Sequence, residues 1–257
     1  YRDGNPTIED CLIAGNRGGG VACYQSSPSL TNCVLTGNQA YQGGGLFCQQ
    51  GATPLVTNCT LAGNISSGGF THAPGGAGVD SESSSPALFN CILSGNQGYG
   101  IRQSNSHPPM TISNCLFDAN SSGDYYDQDI GAVTGANTIN MEVDGASNNR
   151  EGDPSFLMGA SGTWSASSVF DATTQKTTLT NASASYLPGA LVGKTLQCLA
   201  SFPYESVVVA NTATQVTVSG NLTNYNISDG SPYLFVDHHL TNGSSALDRA
   251  QLSTILV

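Results

Sequence analysis

The sequence predicts an all-β chain in which a parallel β-helix, a solenoid of stacked coils, carries a small inserted β module near its C-terminal end. Two observations support this fold class. A short motif centred on cysteine recurs five times in the first half of the chain. The 257 residues include 31 glycines but only 10% charged residues. That composition disfavours long solvated helices and suits short strands joined by tight turns.

Each copy of the motif places Asn or Asp before the cysteine and a second Asn five residues after it. Apolar residues alternate from the cysteine onward, as a strand requires, but the alternation breaks just before it. We therefore expect a bend at Asp10, Asn32, Asn58, Asn90 and Asn114. Stacked coils would align equivalent residues into ladders. The predicted structural ladders consist of Cys11, Cys33, Cys59, Cys91 and Cys115, and of Asn16, Asn38, Asn64, Asn96 and Asn120.

A second, glycine-led strand follows each of the first four motifs. These strands read GGGVAC (18–23), GGGLFC (43–48), GGAGV (75–79) and GYGI (98–101). Cys23 and Cys48 form a further aligned pair. Eight cysteines in an exported chain would ordinarily suggest disulfides. The aligned cysteines fit better as small buried thiols, because side chains that point the same way on parallel strands make poor disulfides.

Together these motifs resemble the right-handed parallel β-helix repeat proteins of bacterial surfaces and secretions, over residues 5–129. The segments GDPSF (152–156) and DHHLTNGSSALDRA (237–250) are similar to the closing segment of such proteins that carry a choice-of-anchor domain. The resemblance implies an extracellular or cell-surface location. It also implies three parts: coils over 1–159, an inserted β-barrel or sandwich-like module over 160–236, and a closing segment over 237–257 that returns to the β-helix.

The insertion has strand signals of its own, and ANTATQ between two valine-rich runs predicts a hairpin turn. Its Trp164, the single tryptophan of the chain, is expected in a core. The first motif begins close to Tyr1, so we expect a fragment or processed product.

The net charge of −11 argues against a nucleic-acid partner, which would require clustered basic residues. The chain has no apolar run long enough for a transmembrane segment. The candidate partners that remain are a glycan, another surface protein, or further copies of the chain in a larger assembly.

Two groups of residues are candidate sites. Asp124, Asp127 and Asp129 are close enough in sequence to bind Ca²⁺, the one possible cofactor, although a solvated loop would look the same. Tyr99, Arg102 and His107 are candidate binding residues in and beside a variable loop.

No motif identifies a catalytic residue. A polysaccharide lyase needs a basic residue near the substrate, and a glycoside hydrolase needs paired carboxylates; neither pattern stands out. We therefore expect an extracellular structural or adhesive module that contacts glycans or forms part of an assembly. The alternative is a carbohydrate-active enzyme, either a lyase or a hydrolase.

Overall fold

The structure is a computed structural model that describes residues 4–68, 74–104, 109–198 and 204–240. It divides the chain into two compact units. The first comprises Tyr1–Ser155 with Leu240–Val257, and the second comprises Phe156–His239. The second unit extends beyond 160–236 at both ends because the strands Phe156–Thr163 and Pro232–Leu240 belong to its sheet. Most of the expected closing segment, from residue 241 onward, lies outside the described residues.

The first unit is a β-solenoid with three long sheets, so the predicted fold class is confirmed. Each of the first five coils contributes a short strand to each sheet, a sixth coil adds a strand to the first and second sheets, and all registered pairs between coils are parallel. The first sheet contains Thr7–Glu9, Ser29–Thr31, Leu55–Thr57, Ala87–Phe89, Thr111–Ser113 and Ala146–Ser147. The second contains Leu12–Ala14, Val34–Thr36, Thr60–Ala62, Ile92–Ser94, Leu116–Asp118 and Arg150–Glu151.

The third sheet contains the glycine-led strands. Its last strand, Gly131–Val133, folds back antiparallel to the one before it, and a separate two-stranded pair joins Gln39–Ala40 to Ile65–Ser66. The strands of the third sheet are Val21–Tyr24, Leu46–Gln49, Gly76–Glu82, Tyr99–Ser104, Gly123–Asp127 and Gly131–Val133.

The bends lie where the broken alternation predicts them. The residue before each motif cysteine has a left-handed backbone, with φ between 52° and 56°. Asn and Asp adopt this conformation more readily than other residues that carry a side chain. Each bend separates a first-sheet strand from a second-sheet strand. The residues concerned are Asp10, Asn32, Asn58, Asn90 and Asn114.

The solenoid core consists of aliphatic rows between the sheets. Leu30, Val56, Leu88 and Ile112 form one row and are fully buried. No single coil could bury these side chains alone, so the core is a property of the stack.

After the fifth cysteine motif the repeat is interrupted before the last described coil. A helix, Ala136–Glu142, lies there, and a sixth coil follows at 146–151. Ala136 and Ile139 of the helix join the solenoid core. The helix thus supplies apolar side chains to the last coils that the structure describes.

The second unit is one seven-stranded sheet whose registered pairs are antiparallel. The backbone amide of Ser165 donates a hydrogen bond to Thr180 O. Buried residues from strands near both edges of the sheet pack together into one hydrophobic core. Trp164 is 1% exposed and stacks on Tyr233, as expected of a core tryptophan. The predicted hairpin turn is confirmed at Asn211–Gln215. In sheet order the strands are Phe156–Thr163, Pro232–Leu240, Thr195–Cys198, Tyr204–Asn211, Gln215–Ser219, Lys176–Thr180 and Val169–Asp171, and a 3₁₀ turn covers Thr223–Tyr225.

Candidate functional site

An asparagine ladder runs through the solenoid at the corner after the second sheet. Both the backbone amide and Nδ2 of Asn38 donate to Oδ1 of Asn64, each at 3.1 Å. Nδ2 of Asn38 also donates to Ile13 O in the preceding coil, at 2.8 Å. The same contacts recur between Asn64, Asn96 and Asn120. One amide side chain per coil therefore bonds to the coil before it and the coil after it.

The cysteines form a second row, at the corner between the first and second sheets. The thiol of Cys59 lies 3.3 Å from Thr57 O and 3.6 Å from Leu30 O of the preceding coil. Cys33 and Cys91 repeat this arrangement. Burial raises the pKa of the Cys59 thiol far above its usual range, and all eight cysteines are free. Such protonated, carbonyl-bound thiols are packing groups, not nucleophiles.

The repeated asparagine and cysteine side chains are thus hydrogen-bonded within the stack. Side chains that vary from coil to coil lie on the outer face of the third sheet. Leu46 and Cys48 belong to the core, so Phe47 and Gln49, which alternate with them, point outward. The register aligns two outward rows across the coils. One row holds Ala22, Phe47, Asp80, Arg102 and Tyr126, and the other holds Tyr24, Gln49, Glu82 and Ser104.

A buried ion pair lies in the middle of this outer face. Nη1 of Arg102 contacts both carboxylate oxygens of Asp80, at 3.2 and 3.3 Å. Gly76 N donates to the same carboxylate at 3.1 Å. Asp80 is fully buried, and this burial raises its pKa to about 6 although Arg102 opposes the shift. The acid is therefore held by neighbours in its own protein and is shielded from solvent.

The three candidate binding residues lie in different environments or outside the described part of the chain. Arg102 is only 5% exposed and is paired with Asp80. The Tyr99 ring packs 5.0 Å from that of Tyr126, and burial raises the pKa of Tyr99. His107 lies outside the described residues. The structure brings Tyr99 and Arg102 to one strand of the third sheet, but both side chains are buried.

The candidate calcium residues do not converge on a cation position. The Asp124 carboxylate accepts hydrogen bonds from Asn120 Nδ2, at 2.9 Å, and from Gly135 N, at 3.0 Å. Asp127 Oδ1 accepts from the backbone amide of Asp129 at 2.7 Å. Within the described ranges, no three His, Cys, Asp or Glu side chains are grouped in a way that could bind a metal ion. Asp124 joins the last coils to the helix instead.

The second unit holds a buried polar cluster that the sequence did not indicate. Glu205 accepts from Gln197 Nε2 at 2.6 Å and lies 3.2 Å from His238 Nε2, which is also 3.3 Å from Thr195 Oγ1. Three strands supply these side chains, so no local motif marks them. Both His238 contacts involve the same ring nitrogen. A nucleophile–base–acid chain requires one on each nitrogen, so this is not a catalytic triad.

Comparison with known proteins identifies the fold family. Residues 1–152 match the family described as right handed beta helix region, so the chain belongs to the right-handed β-helix family. No curated protein matches the chain. No solved structure matches it either. Among the described residues, the structure has no helix with the length and hydrophobicity needed to cross a membrane.

Proposed function

We propose that this chain is a structural and adhesive module of a cell-surface or secreted protein, and that the accessible part of the outer face of its third sheet, at Tyr24, Phe47 and Gln49, contacts a glycan. The observation that carries the proposal is the division between repeated and variable residues. Asparagine and cysteine recur in the first five coils and bond within the stack, whereas the outward residues of the third sheet change from coil to coil. Recognition in solenoids is generally performed by such variable positions.

The chemistry of the outer face suits a sugar. The rings of Tyr24 and Phe47 meet edge to face with centroids 5.8 Å apart, and Tyr24 is 36% exposed. Beside them Gln49 Nε2 donates to Glu82 Oε2 at 2.9 Å. An aromatic surface next to carboxamide and carboxylate groups offers apolar contact and hydrogen bonds together, as a sugar ring requires.

The alternative function, a polysaccharide lyase or glycoside hydrolase, is favoured by one observation. A general acid needs a raised pKa, and Asp80 has one next to Arg102. Against it, Asp80 is fully buried and both of its oxygens contact Arg102. We therefore favour a structural role for this pair.

The extracellular location is part of the proposal and rests on the resemblance of the repeat to β-helix proteins of bacterial surfaces and secretions. Assembly with further copies or with another surface protein is compatible with a solenoid, because stacked coils form an extended surface that a partner can bind.

The test is a glycan-array screen of the intact protein, followed by affinity measurements on any hit. We expect Tyr24→Ala to weaken binding at least tenfold, while Tyr41→Ala, at an exposed tyrosine outside the two outward rows, leaves it unchanged. Equal affinities of both variants and the wild type would contradict the assigned face. The same glycans are assayed for reducing ends and unsaturated products; turnover that Asp80→Asn abolishes would establish the enzyme instead.

A further inference from the structure

The polar groups beside the aromatic pair of the third sheet have a fixed orientation. Tyr24, Gln49 and Glu82 are consecutive members of one outward row, on strands about 4.8 Å apart. Gln49 Nε2 donates to Glu82 Oε2 at 2.9 Å. Because a carboxylate can only accept hydrogen bonds, the Gln49 amide must turn its nitrogen towards Glu82. Its oxygen, Oε1, is thereby turned away from that contact and is presented as an acceptor.

The two outward rows contain more acid than base. Among their residues, all of which the structure describes, the acids are Asp80 and Glu82 and the only base is Arg102. Arg102 forms its ion pair with Asp80, and both side chains are buried, whereas Glu82 is partly exposed. The chain as a whole has a net charge of −11. A surface with this charge repels acidic ligands and attracts cationic ones.

The aromatic pair adds a second attraction for a cation. The rings of Tyr24 and Phe47 meet at an interplanar angle of 74°, and both side chains are partly exposed. The face of an aromatic ring attracts an ammonium group through its quadrupole, and its apolar surface packs against a sugar ring. Aromatic rings beside a carboxylate therefore favour a ligand that combines a sugar ring with a positive charge.

We propose that the glycan bound at this face contains unsubstituted amino sugars, such as glucosamine, in their protonated form. This inference rests on the proposed function, because it names the class of glycan that the same surface binds. The sugar ring packs on Tyr24 and Phe47, and its ammonium group donates to Gln49 Oε1 beside the Glu82 carboxylate. Hydrogen bonds from a charged donor are stronger than neutral ones. N-acetylation removes that charge, and an acidic sugar reverses it.

The test compares a glucosamine hexamer with its fully N-acetylated counterpart. Calorimetric titration of the intact protein measures both affinities at a mildly acidic pH that keeps the amines protonated. We expect the glucosamine hexamer to bind about tenfold more tightly at low salt. Because this advantage is electrostatic, it should shrink as the salt concentration rises, while the affinity for the N-acetylated hexamer stays nearly constant. An oligogalacturonate of the same length should bind more weakly than either.

Two variants with the same change of charge locate the effect. Glu82→Gln should remove most of the preference for the glucosamine hexamer, because it neutralises the carboxylate beside Gln49 and keeps a side chain of similar size. The affinity for the N-acetylated hexamer should stay unchanged, which a misfolded protein would not show. Glu9→Gln is the matched control, because it removes the same charge from an exposed residue of the first sheet. It should leave the preference as in the wild type.

Several outcomes would overturn the inference. Equal binding of the two hexamers, or equal effects of Glu82→Gln and Glu9→Gln, would do so while the proposed function stood. Absence of binding by both hexamers would also overturn it, and the proposed function would then require another glycan whose binding depends on Tyr24. If a short lysine peptide bound with the same dependence on Glu82, the face would recognise cations in general, and the assignment of a glycan would be wrong.

Discussion

The backbone amide of Cys115 donates a hydrogen bond to Oδ1 of Asn149 at 2.9 Å, so an asparagine continues the row that cysteines occupy in the five preceding coils. Nδ2 of Asn149 donates to Ile112 O, the carbonyl equivalent to the one that the Cys115 thiol faces at Leu88. The same Nδ2 also reaches Oδ1 of Asn140 in the helix at 2.8 Å. Asn149 therefore ends the cysteine row and attaches the helix to it.

We predict that Asn149→Leu destabilises the solenoid by about 3 kcal/mol, because it leaves the buried amide of Cys115 and the carbonyl of Ile112 without their partners. Asn149→Cys should cost about 1 kcal/mol, since a thiol can take the place that it has in the other coils. Urea denaturation followed by circular dichroism measures both. Similar losses for the two variants would show that only the contact with the helix matters.

The asparagine ladder should be most sensitive at its interior rungs. Asn64→Ala removes the acceptor of the Asn38 backbone amide and the donor to Leu35 O, both buried. We expect a loss of about 3 kcal/mol from these unsatisfied groups. Asn16→Ala is the matched control, because Asn16 is exposed and its side chain donates to Asn38 at the first described rung of the ladder. It should cost about 1 kcal/mol, and equal losses at both positions in chemical denaturation would contradict a cooperative ladder.

The buried carboxyl of Asp80 should produce a measurable pH dependence. Its pKa in the folded protein, about 6, lies above the ordinary value of 3.8, so the folded state binds the proton more tightly than the unfolded state. The resulting stabilisation is fully present below about pH 4 and is lost as the pH rises through 6.

We therefore expect the unfolding free energy of the wild type to fall relative to Asp80→Asn by up to about 3 kcal/mol between pH 4 and pH 7. Denaturant titrations of both proteins at several pH values measure this difference. A constant difference across the range would mean that Asp80 has an ordinary pKa.

The carboxylate of Asp124 should hold the helix onto the last coils. It accepts from Asn120 Nδ2 and from Gly135 N, the residue just before the helix. Asp124→Ala should cost about 2 kcal/mol and speed amide exchange in Ala136–Glu142. Asp129→Ala is the control, because no contact of its carboxylate with the helix is observed in the described part of the chain. Addition of calcium should not rescue Asp124→Ala; rescue would support a calcium site at these residues.

The candidate site was only partly predictable. Tyr99 and Arg102 belong to a recognisable strand signal, but their burial depends on partners elsewhere in the chain. Asp80 lies 22 residues before Arg102, and only the register of two parallel strands brings them together. The cluster of Glu205 with His238 could not be predicted for the same reason, since different strands of the second unit supply its members.

The sequence by itself determined the solenoid, because each rung of a stack repeats the same local requirements. A left-handed bend favours asparagine or aspartate, a buried corner accepts a small thiol, and the ladder asparagine recurs because each one bonds to the next. Only the tertiary structure decided which polar side chains are exposed to solvent and which are buried against other groups of the protein. Whether Arg102 or Asp124 faces solvent, a carboxylate or a backbone amide depends on what other parts of the chain place beside it. Coil spacing and register set these contacts, and residue type does not encode them.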